Sequence, residues 1–170
     1  MNNFKIKLPS SNNGKNLFSF SIKDSFFEEF PFSEIKHASI CANGTIYKEQ
    51  GKTSLSLIIS GKINNLPCDI CTEDLSVEIS AETNMIIKRT NENLFSNDEM
   101  YYVKKTENKI DLKQLIFELI TLNIPKKRRH PLNEKGNSTC NKEMIELVEK
   151  YKQKQKQTSD PRWDVLKDLK

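Results

Sequence analysis

Apolar and polar residues alternate through much of residues 1–90, with the period of two that is typical of β-strands burying one face. The segments FKIKLP (4–9) and LFSFSI (17–22) show this alternation most plainly. It continues through 35–63 and again through LSVEISAETNMII (75–87). The pattern therefore predicts a first half made mainly of strands, and the simplest arrangement is antiparallel strands joined by tight turns.

Local signals interrupt these strands. The segment DSFFEEF begins at Asp24, a residue type that caps helices, and runs into Pro31, which predicts one or two helical turns. The pair Asn43-Gly44 and the single Gly51 are typical of tight turns, so we expect the chain to reverse at both places.

The period changes in the second half of the chain. Residues 89–109 are polar and in part acidic, and they predict a loop with one short strand at 101–103. Beyond it, the apolar residues of IDLKQLIFELITLNIP (110–125) recur every three or four positions, which is the period of an amphipathic helix. Asp111 is placed to cap this helix and Pro125 to stop it.

Two more helices are predicted near the C-terminus. The first runs from Asn141 to about Gln153, with an apolar face formed by Met144, Ile145, Val148 and Tyr151. The hydrophilic stretch KYKQKQKQTSD then predicts a linker. The last helix lies in DPRWDVLKDL, where Asp160 is the capping residue and Pro161 takes the first helical position.

These elements predict an α+β fold with an antiparallel β-rich body and C-terminal helices. A chain of 170 residues suffices for one ordinary domain, so we expect a single α+β domain over 1–153. A polar linker and a short C-terminal helix would occupy 154–170.

Composition narrows the class of protein. Charged residues make up 29% of the chain but the net charge is only +4, so any nucleic-acid-binding signal must be local. No apolar run approaches the roughly 18 residues of a membrane-spanning helix, and the N-terminus has no apolar signal region, which predicts a cytoplasmic protein that does not enter a membrane. In a reducing compartment, four cysteines favour metal binding, catalysis or burial over disulfides.

The segment LPCDICTEDL places Cys68 and Cys71 two residues apart, between two predicted strands. A redox pair would place its first cysteine at a helix N-terminus, whereas here a strand follows. Two buried thiols are a second interpretation. In the third, both thiolates bind a structural zinc ion, with backbone N–H groups of the turn pointing at the sulfurs and two further ligands from elsewhere.

His130 and Cys140 are the best-placed candidates for those two ligands. They flank the loop between the two best-defined helices. Cys68, Cys71, His130 and Cys140 together would make a closed structural zinc site joining the strands to the helices. In the alternative, Cys140 only starts a helix and His130 is a solvated neighbour of basic side chains.

The remaining histidine and cysteine form a weaker pair. His37 and Cys41 lie four residues apart in a strand-like stretch, so both point to one face, and we expect Cys41 to be a core residue.

A run of four cations precedes His130: Lys126, Lys127, Arg128 and Arg129. Adjacent cations bind RNA phosphates efficiently, because each neutralised phosphate releases a counterion. The alternative is a solvated cluster that complements the negative end of the preceding helix. The sequence contains no glycine-rich phosphate loop and no Ser-His-Asp arrangement, and we expect no small-molecule substrate.

Taken in order, these motifs resemble the YceD family of large ribosomal RNA subunit accumulation proteins, in the version found in Bacteroidetes. The resemblance lies in the strand-rich first half, the block CDICTEDL, and a helix of the type Asp-Leu-x-x-x-(Leu/Ile)-x-Glu-x-(Ile/Leu) with a proline stop, followed by a His/Cys-bearing loop and a closing DPRWDVL segment. The matching positions are Asp111, Leu112, Ile116, Glu118, Ile120, Pro125, Asp160, Pro161, Arg162, Trp163 and Leu166.

The resemblance implies a small bacterial cytoplasmic protein, without catalytic activity, that supports accumulation of large-subunit ribosomal RNA. We therefore expect a ribosome-biogenesis factor that binds this RNA, a large-subunit ribosomal protein, or both. The alternative is a scaffold that binds a ribosomal protein or an assembly enzyme without contacting RNA.

Overall fold

The structure is a computed structural model, in which residues 4–92, 94–97 and 99–154 are described. Its strands are β1 (Lys5–Lys7), β2 (Lys15–Ile22), β3 (His37–Glu49), β4 (Lys52–Pro67), β5 (Asp74–Thr90), β6 (Met100–Lys104) and β7 (Lys109–Asp111). Its helices are α1 (Asp24–Phe27), α2 (Lys113–Leu122) and α3 (Lys142–Lys154). The predicted α+β class, with a mainly antiparallel body and a C-terminal helix, is confirmed.

The described residues form two compact units. The first contains the residues up to 66 together with 76–126, and the second contains 67–75 and the residues from 127 onwards. The single domain over 1–153 stays a prediction. The predicted final helix, DPRWDVLKDL, lies outside the described residues.

The first unit is built on a five-stranded sheet with the order β2-β3-β4-β5-β6. The pairs β2-β3 and β3-β4 are antiparallel, but β6 runs parallel to the end of β5, with Ile86 opposite Met100. The loop between β5 and β6 carries the chain back along β5, so the predicted strand at 101–103 exists and pairs in parallel. The short strands β1 and β7 form a separate antiparallel pair.

The hairpin between β3 and β4 turns at Gln50-Gly51. Both residues have positive φ, 48° and 82°, which is the backbone of a type I′ turn, and Glu49 pairs with Lys52 on either side. The turn predicted at Gly51 is therefore confirmed. The turn predicted at Asn43-Gly44 is wrong, since both residues lie inside β3.

Gly44 serves close packing. It lies opposite Phe18 of β2, and a Cβ atom placed on it would come within 2.3 Å of the Phe18 ring and 2.7 Å of the Ser56 carbonyl oxygen. A larger residue at this position would clash with both neighbours. The glycine thus accommodates an aromatic ring lying across the sheet backbone.

The core of the first unit comes from alternate strand residues and one helix face. In β3, Ala38, Ile40, Ala42 and Ile46 are buried, whereas Ser39, Cys41 and Asn43 are exposed and Gly44 and Thr45 are half-buried. Helix α2 contributes Ile116 and Ile120, both fully buried. Each such aliphatic side chain stabilises the fold by about 1.5–3 kcal/mol through the surface it removes from water. Helix α1 adds Phe26 and Phe27, and Phe30 just beyond it stacks on Phe117 at 3.8 Å between ring centroids.

Two helix-capping predictions need adjustment. Asp24 is the first residue of α1 and not its cap, and its carboxylate accepts hydrogen bonds from the Ala38 N–H and the His37 ring, which replace the expected capping bond. Asp111 lies one residue before the N-cap position of α2, yet its side chain accepts the Lys113 N–H at 3.0 Å. Helix α2 ends before Pro125, as predicted.

The second unit contains helix α3, which confirms the helix predicted from Asn141. The Asn141 side chain accepts the Glu143 N–H at 3.0 Å and thereby caps this helix. Met144 and Ile145 pack against a small cluster of three buried cysteines. Among the described residues, no helix is both long and apolar enough to cross a membrane.

Candidate metal centre

The connection between β4 and β5 is a tight turn that carries both cysteines of the Cys-x-x-Cys motif. The Cys68 N–H donates to the Glu73 carbonyl, and the Thr72 N–H donates to the Cys68 carbonyl, both at 3.0 Å. Thr72 has a φ of 59°, a left-handed conformation that folds the chain back on itself. The turn therefore places Cys68 and Cys71 side by side, as the sequence predicted.

The loop between His130 and Cys140 supplies the other half. An isolated antiparallel bridge between Leu132 and Ser138 brings the two sides of this loop together. At the tip of the loop, the Asn133 side chain accepts hydrogen bonds from the N–H groups of Lys135 and Asn137. The Thr139 hydroxyl donates to the Pro131 carbonyl at 2.8 Å. These bonds bring His130 and Cys140, ten residues apart in sequence, next to each other.

The ligand atoms of Cys68, Cys71, His130 and Cys140 all lie within 4.8 Å of one another. The Cys68 and Cys140 sulfurs are 3.7 Å apart, and His130 Nδ1 lies 3.4 Å from the Cys71 sulfur and 3.6 Å from the Cys140 sulfur. Zinc–sulfur bonds of about 2.3 Å and a zinc–nitrogen bond of about 2.0 Å, at tetrahedral angles, require roughly 3.8 Å between sulfurs and 3.5 Å between sulfur and nitrogen. These three distances match those of a tetrahedral Cys3His site, and the four side chains could hold a metal ion.

The turn also supplies electrostatic support. Burial acts to raise the pKa of the Cys68 thiol, but hydrogen bonds from the backbone N–H groups of Cys71, Ile70 and His130 outweigh it and lower that pKa to about 6. The predicted N–H groups pointing at a sulfur are thus present. The pKa of His130 is raised by its hydrogen bond with the Cys68 side chain and by the Asp74 carbonyl. A thiolate at neutral pH is the protonation state in which cysteine binds a metal.

Residues around the four candidate ligands hold them in place. His130 Nε2 lies 3.2 Å from the Asp74 carbonyl oxygen, so a proton on Nε2 leaves Nδ1 free to face the sulfurs. The Asn141 amide donates to the Glu73 carboxylate at 3.1 Å. The sequence analysis did not identify Glu73, Asp74 or Asn141 as partners of the candidate ligands. Their positions next to the cysteines in the sequence could have indicated this role, because residues adjoining a metal-binding turn commonly orient its ligands.

Asp69 joins the cysteine turn to the basic segment. Its N–H donates to the Arg128 carbonyl at 2.7 Å, its carboxylate accepts the Arg128 N–H at 2.6 Å, and the Arg128 guanidinium lies 3.8 Å from the same carboxylate. Arg128 therefore has a structural partner, whereas Lys127 and Arg129 of the second unit are exposed. Lys126, the last residue of the first unit, is exposed as well.

The second candidate pair lies elsewhere. His37 Nδ1 contacts the Asp24 carboxylate at 3.0 Å. Cys41 is exposed and 3.8 Å from the Ser19 hydroxyl, so the prediction that it is a core residue is wrong. The physical reason is the alternation of β3, which turns Ile40 and Ala42 inward and therefore turns Cys41 outward.

If all four side chains bound one metal ion, no position would be open for a water or a substrate, which is the pattern of a structural metal site. Neither a comparison with curated proteins nor one with solved structures finds a match. A comparison with protein families matches residues 55–170, more than half of the chain, to the family described as large ribosomal RNA subunit accumulation protein YceD. This match includes the cysteine turn, helix α2 and the loop from His130 to Cys140. The chain thus belongs to the YceD family.

Proposed function

We propose that this chain is a non-enzymatic ribosome-biogenesis factor that supports accumulation of large-subunit ribosomal RNA by binding that RNA in the bacterial cytoplasm. The family description supports the link to the RNA. Direct binding of RNA is supported by the basic segment 126–129, in which Lys126, Lys127 and Arg129 are exposed cations immediately before a candidate metal ligand.

The proposal assigns a structural zinc ion to Cys68, Cys71, His130 and Cys140. The tetrahedral distances and the lowered pKa of the Cys68 thiol support this assignment. Bound zinc would tie the cysteine turn to the loop that follows the basic segment, and so hold Lys127 and Arg129 in a defined place. Structural zinc supplies apparent binding free energies of about 10–16 kcal/mol, comparable to the net stability of a domain.

Elemental analysis of protein purified without a His tag or chelator tests the metal. We expect one zinc per chain, lost in a Cys68→Ser, Cys71→Ser variant together with thermal stability. Cys41→Ser is the matched control, because Cys41 is exposed and lies outside the cluster. Metal-free protein that is fully folded would contradict the assignment.

RNA binding is tested by replacing Lys126, Lys127 and Arg129 with glutamine while keeping Arg128, which pairs with Asp69. Binding to large-subunit ribosomal RNA fragments should weaken, and the slope of log affinity against log salt should become shallower by about 2, because each phosphate contact contributes about 0.7–0.9. The control variant, Lys23→Gln, Lys36→Gln, Lys62→Gln, removes the same charge elsewhere. Equal affinity and slope in the two variants would exclude the segment as an RNA surface.

A second candidate function, a scaffold for a protein partner without RNA contact, is favoured by a groove in the first unit. This groove of about 450 Å³ is lined by apolar residues of α2 and by Glu82 and Glu118. Leu122 and Phe95 on its wall are 82% and 95% exposed. An apolar groove with carboxylates suits a basic segment that carries apolar side chains, a composition that a ribosomal protein can offer.

Purified large-subunit ribosomal proteins, free of RNA and treated with nuclease, test the scaffold. The scaffold predicts that one of them binds the wild type and that Leu122→Lys abolishes this binding, whereas Leu132→Lys, an exposed leucine of the second unit, does not. Binding that disappears with nuclease would favour the RNA function instead.

A further inference from the structure

The hairpin end of the five-stranded sheet gathers basic side chains from several strands. Lys15 of β2 lies directly opposite Tyr47 of β3, so both project from the same face of the sheet. Lys48 follows on β3 and Lys52 begins β4 just past the turn. Tyr47 is 41% exposed, although large aromatic side chains usually bury more of their surface.

Two adjoining hollows occupy this end of the first unit and share Lys48. One, of about 490 Å³, is lined by Lys15, Tyr47 and Lys48 among others. The other, of about 480 Å³, is lined by Lys48 and Lys52 together with Lys88 and Arg89 near the end of β5. We call the combined patch the hairpin surface, defined by Lys15, Tyr47, Lys48, Lys52, Lys88 and Arg89.

Charge on the hairpin surface is strongly unbalanced. Among the residues that the structure describes, five basic side chains line the two hollows against a single carboxylate, Glu49, which lies opposite Lys52 across the turn. Within the described part of the chain, no ion pair engages Lys48, Lys88 or Arg89. The Lys48 ammonium donates to a backbone carbonyl, that of Ser10, at 3.5 Å. Such a surface attracts polyanions.

We propose that the hairpin surface is a second RNA-binding site, separate from the basic segment 126–129, which takes single-stranded RNA. Tyr47 stacks on an unpaired base, and Lys48, Lys88 and Arg89 neutralise the adjoining phosphates. The inference deepens the proposed function and rests on it, because it takes RNA to be the ligand of this chain.

The combination of an exposed aromatic ring with flanking cations is what selects single-stranded RNA. Bases in a duplex are already stacked on their neighbours, so a protein ring can stack only on bases that are unpaired. Stacking on an aromatic side chain tolerates any sequence, and cations along the groove follow the backbone. The basic segment 126–129 contains no aromatic residue, which makes the hairpin surface the better site for unpaired bases.

The test uses full-length protein and two fluorescein-labelled probes, a single-stranded RNA of about 12 nucleotides and an RNA duplex of the same length. Lys88→Gln, Arg89→Gln should make the salt slope for the single strand shallower by about 1.4 and weaken binding about 10-fold or more at 0.1 M salt. The matched control is Lys36→Gln, Lys62→Gln, which removes two exposed lysines at the opposite end of β3 and β4.

Tyrosine variants test the stacking. Tyr47→Leu should weaken single-strand binding at least about 5-fold and leave the salt slope unchanged, whereas Tyr47→Phe keeps the ring and should bind like the wild type. Circular dichroism and melting curves identify any variant that has lost its fold. If Tyr47→Leu is such a variant, Tyr47→Phe still tests the contribution of the ring. Equal loss of single-strand and duplex binding in Tyr47→Leu would overturn the assignment to unpaired bases.

The outcomes separate this inference from the proposed function. If Lys88→Gln, Arg89→Gln matches its control while the variant of Lys126, Lys127 and Arg129 loses RNA, the hairpin surface is excluded and RNA binding by the basic segment stands. If the wild type binds neither probe nor ribosomal RNA fragments, both proposals fail.

Discussion

The ring of His130 connects the candidate metal centre to the start of β5, because its Nδ1 faces the Cys71 and Cys140 sulfurs while its Nε2 lies 3.2 Å from the Asp74 carbonyl oxygen. A backbone carbonyl can only accept a hydrogen bond, so it favours the tautomer with the proton on Nε2. The ring is thereby prepared to bind a metal through Nδ1 without reorientation.

Replacing His130 by alanine should therefore weaken zinc binding by at least about 100-fold, since even the loss of a residue that only orients a ligand costs about 10–100-fold. His130→Cys should restore much of the affinity, because four thiolates also make a structural zinc site. Competition with a colorimetric zinc chelator measures the effect.

His37→Ala is the control for this experiment, because His37 is the only other histidine and contacts Asp24 instead of the cluster. Unchanged zinc affinity in His130→Ala would remove His130 from the ligand set.

Asp69→Ala should destabilise the metal-loaded protein by about 1 kcal/mol. The carboxylate accepts the Arg128 N–H and lies near its guanidinium, and a hydrogen bond to a charged group is worth about 1.5–3 kcal/mol before solvent exposure reduces it. Thermal melting in the presence of zinc measures the change. Glu134→Ala removes an equal charge from an exposed loop position and should leave stability within about 0.5 kcal/mol of the wild type. Equal melting temperatures in the two variants would argue against a structural role for the contact.

Gly44→Ala should destabilise the first unit by about 1–3 kcal/mol, the usual cost of inserting a methyl group where there is no room. The new Cβ would meet the Phe18 ring at 2.3 Å and a backbone carbonyl at 2.7 Å, and only the ring can move. Urea denaturation followed by circular dichroism gives the free energy of unfolding. Asn43→Ala, at the exposed neighbouring position, should change it by less than about 0.5 kcal/mol. A Gly44→Ala variant as stable as the wild type would contradict this expectation and show that β3 and the Phe18 ring can move apart at little cost in free energy.

Asp24 makes a contribution to stability that depends on pH. Its pKa lies below the ordinary value of an aspartate side chain, because the Ala38 N–H and the His37 side chain hydrogen-bond to the carboxylate. A lowered pKa in the folded state means that the ionised form stabilises the fold above about pH 4, and that this stabilisation is lost as the pH falls through the folded-state pKa.

Asp24→Asn keeps an acceptor for the Ala38 N–H but removes the charge. It should therefore be less stable than the wild type at pH 7, and the difference should disappear in acid below the folded-state pKa of Asp24. Urea denaturation midpoints measured between about pH 2.5 and pH 7 test this expectation. A difference that stays constant across the series would mean that the carboxylate charge does not contribute.

Much of the local structure follows from the sequence alone. A strand exposes alternate residues to opposite faces whatever lies around it, so the alternation in 35–63 marked β3 and β4 correctly. The three-to-four-residue period in the same way marked α2, and Asn141 marked the start of α3. The Cys-x-x-Cys turn could also be predicted from the sequence, because a spacing of two residues between cysteines is enough to bring their sulfurs together.

Local patterns were misleading where a residue serves a distant neighbour. Asn43-Gly44 is typical of a turn, yet Gly44 is in a strand because it lies under the Phe18 ring. Asp24 is a residue type that commonly caps helices, yet its carboxylate accepts a hydrogen bond from the Ala38 N–H near the start of β3. Neither partner can be identified until the pairing of strands is known.

Residue patterns were sufficient to predict most of the helices and strands, the α+β class, the family and the residue types from which a metal site could be built. The fold was needed to show that Cys68 and Cys140, 72 residues apart, place their sulfurs 3.7 Å from each other. It also established that β6 pairs in parallel and that the hollow beside Tyr47 shares Lys48 with the hollow lined by Lys88 and Arg89. The physical reason is that helix and strand periods are set by neighbouring residues, whereas strand register and ligand distances depend on how the whole chain packs.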